Sequence, residues 1–360
     1  VPVSLAIIQM LDSSTILLCP RVSRLGFGTS GIMGASITMP GRIRLLETAF
    51  DHGIRHFDTA PLYGMGLAEE VVGCFARGRR ADITITTKFG LVPPALSPWQ
   101  RPLVPVARVL RRHLRGRFES GLHKLVSRRV SRPPSHPSPS SSSSGARFSQ
   151  QASPQSTEPK TCKPYNTEAL RASVEASLQK LRTDYIDNLL LHECQPGQIN
   201  EEVIELLEQL IDAGKIRRYG LGSGRASSRV ILERWQAFHG VVQIPDHFLQ
   251  TDTAWFAEHS VSPLFTHSVL QTLSRDPAYA ATLEALLKRW AERINQDPAK
   301  PGLLAELLLV GGLLSNSKGC VLFSTARSER IIAHARTLSQ LASLGAPLRE
   351  LVAEPSAKRS

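Results

Sequence analysis

Cysteine is scarce in this chain, and what there is does not pair. The 360 residues hold five, Cys19, Cys74, Cys162, Cys194 and Cys320, an odd number with no CxxC spacing. That pattern argues against a disulfide framework and against a structural zinc site, so no metal is expected. It fits a reducing compartment, and a cytoplasmic location is expected. Long apolar runs are missing as well. A bilayer span needs roughly 18 to 20 such residues in a row, and the best stretch, 303–314, is interrupted by Glu306 and a Gly pair. The opening VSLAIIQML is short, has no basic flank and runs into Asp12, a weak basis for a secretory leader. Residues 1–20 are set apart as an uncertain N-terminal segment. A hydrophobic content of 42% beside 21% charged residues is that of a globular chain with a substantial core.

Acidic residues are outnumbered, 31 against 43 basic ones, for a net charge of +12. The excess is local. Residues 101–132 carry nine arginines and Lys124 against Glu119 alone, so most of the imbalance sits in one segment and the rest is close to neutral. A nucleic acid or an acidic membrane therefore has a basis for binding only at 101–132, where a plain solvated segment is the favoured reading. Val106, Leu110, Leu114, Leu122, Leu125 and Val130 recur there near helical intervals, which predicts an amphipathic helix, at least on a partner.

Elsewhere, short β-type runs alternate with helical patterns. Strands are expected at 25–29, 55–59, 83–87, 185–191, 218–222, 241–244, 263–266 and 320–324. Residues 167–181 place Leu170, Val174, Leu178 and Leu181 on one helical face, and 201–213 do the same with Val203, Leu207, Leu210 and Ile211 before Gly214. Eight strands alternating with helices predict a (β/α)8 TIM barrel. The glycines of LGFGTSGIMG superficially resemble a pyrophosphate-binding turn of a doubly wound sheet, but their spacing fits poorly and no acidic residue follows in the right context. The barrel is expected over 21–342, with a tail over 343–360. It is interrupted at 91–163 by an insertion after the third strand. The insertion's Ser/Pro-rich half cannot bury enough apolar area to offset ordering, so it is expected to be largely disordered.

In such a barrel the reacting groups sit at the carboxyl ends of strands. Asp58 ends the second expected strand and Tyr63 lies in the loop beyond it. Lys88 ends the third and His192 the fourth. Taken singly, each has a plainer reading: a turn aspartate, a packing tyrosine, a lysine reaching solvent, a satisfied core histidine. Together at successive strand ends they suit proton exchange. A free phenol has a pKa near ~10. A neighbouring ammonium favours the phenolate, an aspartate keeps that ammonium charged, and a neutral histidine orients a carbonyl oxygen.

The segments GIRHFDTAPLYGMGLAEE, ITTKFG, SLQKLRTDYIDNLLLHE, GKIRRYGLGSG, VVQIPDHFL and GCVLFSTARSERI occur in an order that resembles the aldo-keto reductase superfamily, in its aldose and galactose dehydrogenase-like branch. The resemblance covers most of the chain outside 1–20 and 91–163. It implies a (β/α)8 barrel binding NADP(H), with NAD(H) as the alternative. It also implies a catalytic tetrad of Asp58, Tyr63, Lys88 and His192, with Tyr63 exchanging the proton with a small carbonyl or sugar substrate. Gly222 and Ser223 match a Ser-Asn pair that holds the nicotinamide carboxamide, Gln243 a sixth-strand glutamine, and His267 an aromatic stacked on the nicotinamide. Ser324, Thr325, Arg327 and Arg330 match the segment that holds the 2′-phosphate, a role suited to arginine forks. Two departures are visible: Gly222 lacks a side chain, and Ser324 stands where many members carry lysine. They leave open a second reading, a nucleotide-binding regulatory or interaction module with little turnover. Oligomeric state is not read from the sequence.

Overall fold

The structure is a computed structural model, and it describes residues 22–93, 97–112, 163–238, 240–270 and 277–353. Eight short parallel strands close into a barrel in chain order: β1 (Leu25–Gly28), β2 (His56–Asp58), β3 (Thr84–Phe89), β4 (Asn188–His192), β5 (Tyr219–Gly222), β6 (Val241–Pro245), β7 (Leu264–His267) and β8 (Cys320–Phe323). Each strand is buried on both faces, as expected where helices cover a parallel sheet. The expected (β/α)8 architecture is the one observed.

Strand alternation divides the core in two. Phe57, Ile85, Leu189, Leu191, Leu221 and Val242 join a cluster that includes the helical residues Leu46, Val72, Leu178, Leu207 and Ile231. Leu190, Val241, Phe265, Cys320 and Leu322 form a smaller cluster of their own, and His56 stacks on Phe265 with ring centroids 4.3 Å apart. A glycine makes room where two strands crowd. A Cβ on Gly220 would lie 1.7 Å from the Val241 carbonyl oxygen, so no other residue fits without moving the backbone.

The helices begin where the sequence supplies caps. Asn166 accepts the Ala169 N–H at 2.7 Å to open the helix Thr167–Leu181, and Asn200 accepts the Val203 N–H at 3.1 Å to open Glu201–Asp212. The expected strand at 185–191 is displaced towards its end, so that His192 is its last residue. Asp187, just ahead of it, is instead an anchor. It takes Arg80 at 2.7 Å, Arg217 at 3.1 Å and the Ile85 N–H at 2.9 Å.

Two further helices follow β7, Pro277–Arg293 and Leu303–Ser315. The apolar stretch 303–314 is a largely buried helix, and among the described residues no helix is long and apolar enough to cross a membrane. The tail boundary set at 343 falls inside the helix Leu341–Ala353. Its Leu348 and Leu351 are buried in a cluster with Trp290 and Leu303.

Of the insertion, residues 103–112 are helical, and Arg112 Nη1 donates to the Ala326 carbonyl at 2.8 Å. This tethers the start of the insertion to the loop after β8. Residues 113–162, on which the expectations of disorder and of a longer amphipathic helix fall, lie outside the described residues.

Candidate active site

Strand ends and loops at one mouth of the barrel bring the four expected polar groups together. In-register pairing sets Asp58 beside Thr86, Lys88 beside Leu190 and His192 beside Gly222. Lys88 and Asp58 are almost fully buried, at 2% and 3% exposure. Lys88 Nζ donates to Asp58 Oδ1 at 2.6 Å and to the Thr59 carbonyl at 2.9 Å. The same nitrogen lies 4.8 Å from the centre of the Tyr63 ring. Tyr63 presents its ring edge-on to His192, at 6.0 Å and 85°. Its loop turns sharply just beyond, where Gly64 and Met65 both have φ of 60°. Such a conformation costs glycine little.

The electrostatics correct one expectation. Burial raises the Tyr63 phenol above its ordinary pKa; Lys88 pulls it down and Asp58 pushes it up, and burial wins. The lysine does not leave the phenol acidic at rest, so Tyr63 is held protonated. Burial lowers the affinity of Lys88 for its proton, but Asp58 and Tyr63 together more than restore it, and the ammonium stays charged. Burial also lifts the Asp58 carboxyl against the pull of Lys88; at 2.6 Å the pair holds as carboxylate and ammonium. Burial, then Lys88 and His267, bring His192 down to about 3, so it is neutral at pH 7.

Asp58, Tyr63, Lys88 and His192 line one cavity of about 230 Å³, open at the mouth. Gly222, Gln243, His267 and Ser324 line it too. His267 shares a 2.8 Å hydrogen bond with the Ser268 hydroxyl. Ser223 is placed differently. It is not among the lining residues, and its hydroxyl accepts the Cys194 N–H at 2.7 Å. Thr325 is buried and its Oγ1 accepts the Arg327 N–H at 3.2 Å, at the start of the helix Ser328–Ser339. Arg327 and Arg330 are exposed at that helix start, beyond the cavity.

Other lining residues carry little signal in the sequence. Leu62, Leu91, Val269 and Leu270 give the cavity an apolar side, and an apolar residue near a strand end reads the same as core. Glu193 and Ser268 follow His192 and His267 directly, and each has a left-handed backbone, φ 52° and 64°. No glycine or asparagine marks those turns. Among the described residues no group of three or more His, Cys, Asp or Glu could hold a metal ion.

Burial first of all lowers five histidines among the described residues: His56 and His192 to about 3, His267 and His334 to about 4, and His247 in the same direction. Unfolded, each would titrate near ~6.5. Their folded values are depressed, so the stability they allow is present above pH ~6.5 and is lost as pH falls towards 4, at about 1.4 kcal/mol per pH unit for each. Urea unfolding at pH 7 and pH 5 is expected to show a fall of at least about 2 kcal/mol, the share of His56 alone. Equal stability at the two values would contradict these neutral histidines.

The comparisons agree with this fold. The model of the aldo/keto reductase family matches residues 24–125 and 156–245. The chain is similar to the aldo-keto reductase YhdN of Bacillus subtilis, 27% identical over 261 residues, which is 70% of this chain and 57% of that protein. The chain thus spans little more than half of that relative. It is also 27% identical to the 6-dehydroglucose reductase of Agrobacterium fabrum over 325 residues, 86% of this chain and 87% of the relative. In fold it resembles an aldo-keto reductase of Klebsiella pneumoniae solved in complex with NADPH, with a TM-score of 0.57 and 22% identity over 97% of this chain and 98% of that one. A strand-by-strand barrel, a mouth assembled from three successive strand ends, and a family match over more than half the length converge on one conclusion: the chain belongs to the aldo/keto reductase family.

Proposed function

We propose that this protein is an oxidoreductase that interconverts a carbonyl and an alcohol on a small molecule, with NADP(H) as redox partner and Tyr63 as the proton-exchanging residue. The observation that carries the reading is the convergence of a protonated phenol, a buried lysine–aspartate pair and a neutral histidine on one cavity. Tyr63 gives its proton to a carbonyl oxygen as negative charge builds there. Lys88 lies beside the ring and stabilises the phenolate left behind. Asp58 and the Thr59 carbonyl fix the ammonium in place. His192, uncharged, offers an N–H that positions the carbonyl oxygen without competing as an acid.

The residues present fit a nicotinamide. Gln243 hydrogen-bonds the Asp58 side chain, while its Oε1 is buried and without a partner among the described residues. An amide acceptor left bare in a cavity wall is costly, and a carboxamide N–H would satisfy it. His267 offers a flat face on the same cavity, and Gly222 leaves space. When bound, a reduced nicotinamide supplies the hydride. Arg327 and Arg330, with the Ser328–Ser339 helix start, would hold a 2′-phosphate, which favours NADP(H) over NAD(H). The short side chain of Ser324 contributes no charge there.

A cavity of this size suits a small aldehyde or an aldose, and the sugar-reducing name of the Agrobacterium relative supports that class. Following absorbance at 340 nm with aldehydes plus NADPH and with aldoses plus NADP tests the reading. Turnover of at least one class is expected. NADPH binding seen by fluorescence without turnover across both panels would favour the regulatory module instead.

A further inference from the structure

Glu193 occupies a place that a regular strand would deny it. Side chains alternate along β4: Leu189 and Leu191 join the core against the helices, and Leu190 joins the barrel interior. His192 follows in the alternation and lines the cavity, so the next residue should face away. It does not, because Glu193 has φ 52° while its N–H donates to the Gly222 carbonyl at 2.9 Å. The left-handed backbone breaks the pleat but keeps the link to β5. Two consecutive residues therefore line one cavity, and the Glu193 carboxylate acts electrostatically on the Tyr63 phenol of the same cavity. A non-glycine residue held in this conformation is strained, and such strain concentrates at functional positions.

The charge balance of the cavity makes the position matter. Among its lining residues, Lys88 and Asp58 neutralise each other at 2.6 Å. The Glu193 carboxylate has no hydrogen bond or ion pair among the described residues, which leaves it as the uncompensated charge of the wall. It stands on the neighbour of His192, the residue assigned above to hold the carbonyl oxygen, so it faces the body of a substrate seated there. Being exposed at the mouth, it acts through partial solvent screening, and its effect is moderate.

Resting on the proposed carbonyl–alcohol chemistry, we propose that Glu193 is a specificity-determining residue that favours substrates carrying a positive charge and turns away those carrying a carboxylate. The test compares kcat/KM for 4-formyl-N,N,N-trimethylanilinium and 4-carboxybenzaldehyde, each normalised to 4-nitrobenzaldehyde, with NADPH saturating. The ratio of the two constants is compared between proteins, because the cation's greater intrinsic electrophilicity is common to all of them. Glu193→Gln is expected to lower the cation-over-carboxylate ratio about tenfold, and Glu193→Asp should restore it. An unchanged preference in Glu193→Gln overturns the proposal. Calorimetric binding of the unreactive pair N,N,N-trimethyl-4-methylanilinium and 4-methylbenzoate to the NADP-loaded protein reads the same selection without turnover. The same collapse is expected in Glu193→Gln, and an unchanged ratio again overturns it. No turnover with a Glu193-dependent binding ratio would sink the enzymatic reading and leave the charge selection standing.

Discussion

Replacing Tyr63 with Phe is expected to lower turnover by about 10³-fold while leaving NADPH affinity within about twofold. Removing a general acid typically costs 10²- to 10⁴-fold, and here the neighbours offer no substitute. His192, with a pKa of about 3, carries no spare proton at pH 7. The Lys88 ammonium is committed to Asp58 and the Thr59 carbonyl, and its own proton is bound more tightly than usual. The ring itself would remain edge-on to His192 and beside Lys88, so the cavity keeps its shape. Steady-state rates at 340 nm and fluorescence titration with NADPH separate the two effects. A variant within tenfold of the wild-type rate would move the proton-exchanging role away from Tyr63.

The largest effect on stability is expected from Lys88→Met. The pair is buried at 2% and 4% side-chain exposure, and removing the ammonium leaves the Asp58 carboxylate with Gln243 as its remaining partner. Breaking a buried ion pair on one side typically costs about 3–5 kcal/mol, because the surviving charge keeps its desolvation penalty without its counter-ion. The Thr59 carbonyl loses its donor as well. Adding Asp58→Asn to Lys88→Met removes the orphaned charge, so the double variant should recover part of the loss, although turnover stays low in both. Urea unfolding of the two single variants and the double variant at pH 7.5 completes the cycle. A cost below about 1 kcal/mol for Lys88→Met would show that the pair is not the electrostatic anchor described.

Much of the site was legible because its polar groups interrupt apolar runs. Asp58 closes His56–Asp58, Lys88 follows the threonines of ITTKFG, and His192 ends three leucines. A strand with a charged or polar group at or next to its last position announces a site. The strand and helix alternation was legible for the same reason, with Asn166 and Asn200 as visible helix caps. What the sequence could not yield depends on distance and burial. The phenol's direction of shift is one case. Lys88 favours phenolate, as residue types alone suggest, but the opposing penalty arises only once the loop folds Tyr63 inward. Glu193 and Ser268 are another. Their left-handed turns lie at residues with no marking side chain, so alternation pointed them the wrong way. The hydroxyl of Ser223 is a third. It serves the Cys194 amide, a contact set by how the β4 and β5 loops meet. The helix Leu341–Ala353 was set apart because it falls after the last strand of the repeat, whereas its leucines complete a third cluster with Trp290.

The most direct measurement follows an isotope. 4-Nitrobenzaldehyde would be reduced in ordinary water with NADPH carrying two deuterons at nicotinamide C4, and the alcohol read by mass spectrometry. The account predicts one deuteron on the benzylic carbon and a hydroxyl proton drawn from Tyr63 and thence from water. An alcohol with no deuterium at that carbon would contradict it.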